Sequence, residues 1–268
     1  SKEFEKFKEL ENEIVHFKHV KFSGEELDSI TNEIKKVKKY PEKEERLNQL
    51  RLEFEQDNDI NKYTKGVQET ENKFVKESTY EYENKKIKIK YLANHYYLPV
   101  IVSETEKIYY LKHIINVGSE VRFIEQLEEY LAKPDNVFTQ FDWWMFSKLD
   151  QTIDEVFIPY YNYQENRIDN YHPDFIFWLQ KGNSYLILFV DPHGTAYSDI
   201  NKKIDYYSEV FETKETKESK KFSFNGFDIE TRLLLMPARG GLAPVGDNYK
   251  KYWFGNFDDF AEKVALTE

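Results

Sequence analysis

Between Phe175 and Val190 the chain reads FIFWLQ, then KGNS, then YLILFV, and neither apolar run alternates with polar residues. A strand that is apolar at successive positions buries both its faces, so this pair belongs inside a sheet covered by helices on either side. Four residues are too few for a crossover, and a Gly182-Asn183 loop suits the tight turn of a hairpin. With that loop Lys181 faces Ser184, and every opposed pair sums to one value. Asp174 then faces Asp191, and His172 faces His193. Opposed residues project from one side of a sheet, so all four polar side chains share a face. Phe175, Phe177 and Leu179 take one side of the hairpin; Ile176, Trp178, Ile187 and Phe189 take the other.

Two carboxylates at this spacing in apolar surroundings do not both stay ionised unaided, because like charge and desolvation each raise the pKa. A divalent cation resolves the conflict, and a few carboxylates with water and phosphate oxygens are what Mg²⁺ or Mn²⁺ prefers. The plainer alternative is a pair of strand-end acids that meet solvent or a lysine. The matched register, the flanking Pro173 and Pro192 and the apolar surround weigh toward the metal.

A net charge of −11 is the wrong sign for a module that holds nucleic acid by bulk attraction. It does not exclude an enzyme acting on a polyanion, since acids gathered around a cation add negative charge that the ion locally reverses. The 268 residues, 40% of them hydrophobic, suffice for one large domain or a core with an extension. With no cysteine there is neither a disulfide framework nor thiolate zinc ligation, and a reducing, cytoplasmic setting is expected. No apolar run is long enough to cross a bilayer, so no membrane partner is expected. Because the chain begins with Ser1, it reads as a piece of a longer polypeptide.

From Lys2 to about Tyr80, Glu, Lys, Asn and Asp dominate, with sparse apolar spacing such as Phe4, Phe7, Leu10, Ile14 and Phe17. This predicts polar helices broken near Pro41 and at EQDNDINKYTKG. From Lys85, Lys86, Lys88 and Lys90 alternate with Ile87, Ile89 and Tyr91, which predicts a strand, followed by another at HYYLPVIV. We therefore expect a helical, charged extension over 1–84 and an α/β domain over 85–268. Within the latter, SEVRFIEQLEEYLAK predicts a helix capped by Ser119 and WWMFSKLD a short helix. EVFIPYYN predicts a strand, QENRIDN a polar turn and YSDINKKIDYYSEVFE a helix. KETKESKK predicts an exposed loop, RLLLMP a buried strand and DDFAEKVAL a closing helix.

Pro173-Asp174 and then Asp191-Pro192-His193 resemble the motif of the PD-(D/E)XK nucleases, in which two acids hold Mg²⁺ and a lysine two residues after the second acid assists the attacking water. The wider context is GSEVRFIEQLEEYL, FDWWMFSKLDQTIDEVFIPYYN, HPDFIFWL, YLILFVDPHGT and KKIDYY. It resembles the C-terminal endonuclease domain of type III-like restriction subunits, which are helicase-nuclease polypeptides. The likeness is good over about 112–210, moderate over 232–266 and slight over the first eighty residues. It implies a restriction-endonuclease-like core, with a central mixed sheet flanked by helices, and Asp174 and Asp191 as metal ligands. It also implies double-stranded DNA as substrate, an upstream helicase/ATPase region of the same polypeptide, and a methyltransferase (modification) subunit as partner.

By the same resemblance Glu120 matches an additional acid near the metal. It reads equally well as an N-terminal helix acid favoured by the dipole. His193 departs from the pattern, since lysine supplies a fixed positive charge that a neutral imidazole does not. Three readings follow. His193 acts as a base or as a cation held by the aspartates; or a lysine of the next helix, Lys202 or Lys203, reaches the site; or the domain is catalytically weak and serves as a DNA-binding or scaffold module. Lys203 is favoured of the two lysines, because with Tyr206, Tyr207 and Val210 it falls on an inward stripe. Arg239, in ARGGLAP, is a candidate phosphate contact beside paired glycines, as is Lys202. His172, Asp174 and His193 also fit a two-His-one-carboxylate iron centre, a reading that the adjacent Asp191 disfavours.

Overall fold

Three helices open the described chain: α1 (Gly24–Lys38), α2 (Glu42–Asp57) and α3 (Ile60–Lys73). The computed structural model describes residues 24–82, 85–96, 100–103, 113–162, 165–192, 197–237 and 246–265. The stripe from Phe4 to Phe17, His193 and Arg239 lie outside them. Buried Ile30, Ile34 and Val37 recur at helical spacing along α1. Pro41 stands at the start of α2, Asn58 ends it in the left-handed region, and Asp59 caps α3 by accepting from the Lys62 amide. Gly66 lets α3 approach α2, since a Cβ there would stand 2.6 Å from a Leu50 methyl.

The charged stretch is not all helix. Strand β1 (Glu77–Tyr82) pairs antiparallel with β2 (Lys85–Lys90), and β2 with β3 (Val100–Val102). Ile87 and Ile89 are fully buried and join Ile30, Ile34, Val37, Tyr80, Ile101 and Ile114 in one core. The chain divides into compact units at 1–116 and 117–268. The expected break between 84 and 85 falls between two paired strands of one sheet. A strand with a single apolar face among many charges resembles a polar helix in sequence, which is why β1 escaped notice.

The second unit begins with α4 (Gly118–Leu131), followed by β4 (Trp143–Lys148), β5 (Ile158–Asn162), β6 (Arg167–Tyr171), β7 (Phe175–Lys181) and β8 (Ser184–Pro192). Then come α5 (Tyr197–Phe211), β9 (Phe222–Phe224), β10 (Phe227–Met236) and α6 (Phe257–Val264). Five strands form a mixed sheet in the order β4-β7-β8-β10-β9. Strands β4, β7 and β8 run antiparallel in succession, β10 lies parallel to β8, and β9 turns back on β10. The parallel pair needs a crossover, and α5 lies in it. Strands β5 and β6 make a separate two-stranded sheet.

The hairpin pairs as Lys181↔Ser184 through Phe175↔Val190, the register read from the sequence. Gly182 has φ +56 and Asn183 is not among the positive-φ residues, so the first loop residue alone takes the positive φ that the turn needs. Both sheet faces are covered. On one, Phe123 of α4 meets Phe175 at 5.0 Å, Phe177 at 6.2 Å and Phe257 at 5.5 Å between ring centroids. On the other, Ile204 and Tyr207 of α5 cluster with Ile176 and Phe189.

Three local expectations need correction. In WWMFSKLD the first six residues, Trp143–Lys148, are strand β4 rather than a helix, because they pair with β7 and draw their backbone bonds from the sheet. Helix α4 starts from extended Val117 with no side-chain cap, so Ser119 sits inside its first turn. QENRIDN is not all turn: Arg167–Tyr171 is β6. No described helix is long and apolar enough to cross a membrane.

Candidate functional site

The hairpin pairing ends at Phe175↔Val190, and continued by one residue its register sets Asp174 opposite Asp191. Asp191 stands close enough to Asp174 to raise its pKa. Asp191 is buried at the end of β8, whereas Asp174, just before β7, keeps 28% of its side chain exposed. Burial lifts the Asp174 pKa well above the usual carboxylate range. Lys148 opposes that shift, while Asp191 and Glu120 add to it.

Each acid has its own donors. The Tyr171 hydroxyl donates to Asp191 Oδ2 at 2.7 Å, and Lys203 Nζ reaches the same oxygen at 3.1 Å. Tyr171, at the end of β6, has its own pKa pushed well up by burial and by the Asp191 charge. Lys203 comes from α5 and lies 4.8 Å from the centre of the Tyr171 ring. On the other side Lys148, the last residue of β4, donates to Glu120 Oε1 at 2.9 Å and to Asp174 Oδ1 at 3.2 Å. Burial alone would lower the Lys148 pKa, but the neighbouring Asp174 and Glu120 carboxylates outweigh it and hold the ammonium above its ordinary value. Its ammonium also lies 5.3 Å from the Phe175 ring centre.

Asp174, Asp191 and Lys203 thus come together, and Glu120 joins them through Lys148. Lys202 lies exposed on α5. His172 stands near the Phe157 ring, 5.8 Å between centroids, and its Nδ1 is buried without a hydrogen-bond partner among the described residues. Among the described residues no three acids or histidines are grouped to hold a metal ion. The chemistry of the set nonetheless suits a hard cation. Asp174 and Asp191 offer neighbouring carboxylates, and Glu120 Oε2 is buried with no partner among the described residues.

Reading the sequence missed Lys148 and Tyr171. Had WWMFSKLD been read as a strand, a lysine ending an apolar run beside a sheet core would have asked for a buried acid. Tyr171 carries no such signal, since a tyrosine beside a proline turn is commonplace.

The YagJ family profile matches residues 111–224. That span contains Glu120, Lys148, Tyr171, Asp174, Asp191 and Lys203, and it ends before β10. No curated protein and no solved structure matches the chain.

Proposed function

We propose that the unit at 117–268 is a metal-dependent DNA endonuclease domain with a PD-(D/E)XK-like core, of the kind found in type III-like restriction enzymes. The observation that carries this reading is the apposition of Asp174 and Asp191 at the ends of paired strands, with the Lys203 ammonium on Asp191. Asp174 and Asp191 would hold Mg²⁺ or Mn²⁺, with Glu120 as the further acid. When bound, the cation supplies charge stabilisation at the scissile phosphoryl group and a bound water of lowered pKa. Tyr171 fixes the Asp191 carboxylate by donating to one of its oxygens. Lys203 brings to the site, from helix α5, the fixed positive charge that His193 does not supply. Lys202, exposed beside it, and Arg239 are the candidate phosphate contacts. Double-stranded DNA is the substrate in this reading. An upstream helicase/ATPase region and a modification methyltransferase are its partners by resemblance.

A second reading rests on the ion pairs themselves. Lys148 and Lys203 already neutralise the acids, as in a nuclease-like domain kept for DNA binding or scaffolding. Plasmid nicking with Mg²⁺ or Mn²⁺ separates the two. Cleavage by the wild type, lost in Asp174→Ala and reduced at least tenfold in Lys203→Met, supports the nuclease. DNA retention without any nicking supports the scaffold and ends the enzymatic reading.

A further inference from the structure

Lys148 is the buried cation of this site that the motif does not predict. Only 11% of its side chain and 6% of that of Glu120 are exposed. The ammonium sits between two carboxylates from different elements, 2.9 Å from Glu120 on α4 and 3.2 Å from Asp174 before β7. It engages one oxygen of each, Oε1 and Oδ1. The other oxygen of Glu120 is buried and has no hydrogen-bond partner among the described residues. An acid more than nine-tenths buried with half its acceptor capacity unused is costly unless a second positive group completes it.

We propose that Lys148 is a resident counter-ion that holds the place of a divalent cation between Glu120 and Asp174 and competes with it for those carboxylates. The inference rests on the metal-site reading above. A hard dication at oxygen distances and an ammonium at hydrogen-bond distances satisfy the same pair of acids, and both cannot do so in full. In the metal-free protein the ammonium keeps α4 and β7 tied together. When the ion enters, Lys148 gives up at least its bond to Asp174, and the Glu120 carboxylate is free to turn its unused oxygen inward. The arrangement would make the site weak for Mg²⁺ on its own and responsive to whatever draws the ammonium away, an incoming phosphate group being the natural candidate.

The test is Mn²⁺ binding to the full chain by titration calorimetry at pH 7.5, with no nucleic acid present. Lys148→Met is compared with Lys148→Arg and the wild type. Because the Met variant leaves Glu120 and Asp174 without their cation, Lys148→Met/Glu120→Gln serves as a second, charge-relieved variant. Competition predicts at least tenfold tighter Mn²⁺ binding in Lys148→Met, and a lowered metal-free Tm that rises more on adding Mn²⁺ than the wild-type Tm does. Lys148→Arg stays within about threefold of wild type. In Lys148→Met/Glu120→Gln, which removes one of the two contested carboxylates together with the ammonium, the gain seen in Lys148→Met is lost. Wild-type binding with an unchanged affinity in Lys148→Met overturns the inference and leaves the metal-site reading standing. No Mn²⁺ binding by any of the four proteins overturns both.

Discussion

At the residue scale, the site stores an electrostatic conflict that is visible in pH dependence. The Asp174 carboxyl is held above its ordinary pKa, chiefly by burial. A group whose pKa is raised by folding stabilises the folded state below its unfolded value, near 3.9, and loses that contribution as pH rises toward the folded value. Asp174→Asn removes this penalty. Its Tm relative to wild type is therefore expected to climb as pH is taken from 4 to 7.5 without metal. A flat difference would mean that solvent reaching the exposed part of Asp174 screens the conflict. For Lys148, whose pKa is also raised, the stabilisation is fully present at neutral pH and fades only above about 10.4. The Tyr171 hydroxyl donates to a buried carboxylate. Tyr171→Phe is expected to lose about 1.5–3 kcal/mol in urea unfolding, since bonds to charged groups exceed neutral ones in value.

At the scale of elements, the hairpin and the helix above it set the geometry. Gly182 adopts φ +56 with open space where a Cβ would go, and its amide donates to Asp142 Oδ2 at 2.7 Å. Gly182→Ala therefore meets no clash and is expected to destabilise only through the backbone, by about 1–2 kcal/mol. Phe123 is fully buried on α4 and packs against Phe175, Phe177 and Phe257. Phe123→Ala leaves a cavity that costs about 3–5 kcal/mol by the usual scale for buried aromatics. Since α4 also carries Glu120, this variant is expected to weaken Mn²⁺ binding more than Gly182→Ala does. Paired denaturation and calorimetry check both.

At the scale of the whole molecule, each unit has its own buried cluster, one around Ile87 and Ile89, the other around Tyr207 and Leu235. Differential scanning calorimetry is expected to resolve two transitions, with Mn²⁺ and Asp174→Asn moving only one of them. A single transition shifted as a whole would show that the units unfold together. The net charge of −11 also bears on the proposed nuclease reading. On that reading DNA retention is expected to rise when Mg²⁺ is added at constant ionic strength, because a bound ion would reverse the sign of the field where the acids converge.

What could be read from the chain alone is what short-range rules govern. Unbroken apolar runs around a Gly-Asn turn dictate a buried hairpin, its length sets the register, and the register brings Asp174 opposite Asp191. Helical spacing likewise made α4, α5 and α6 legible and put Lys203 on the side of α5 that meets Asp191. Only the folded sheet decided the rest. WWMFSKLD mixes strand-favouring Trp143, Trp144 and Phe146 with helix-favouring Met145, Lys148 and Leu149, and its first six residues are a strand because β7 offers them backbone partners. Lys148 then meets Glu120 and Asp174 across 28 and 26 positions of sequence. A buried ion pair of that separation depends on how a helix settles on a sheet, and no local pattern along the chain encodes it.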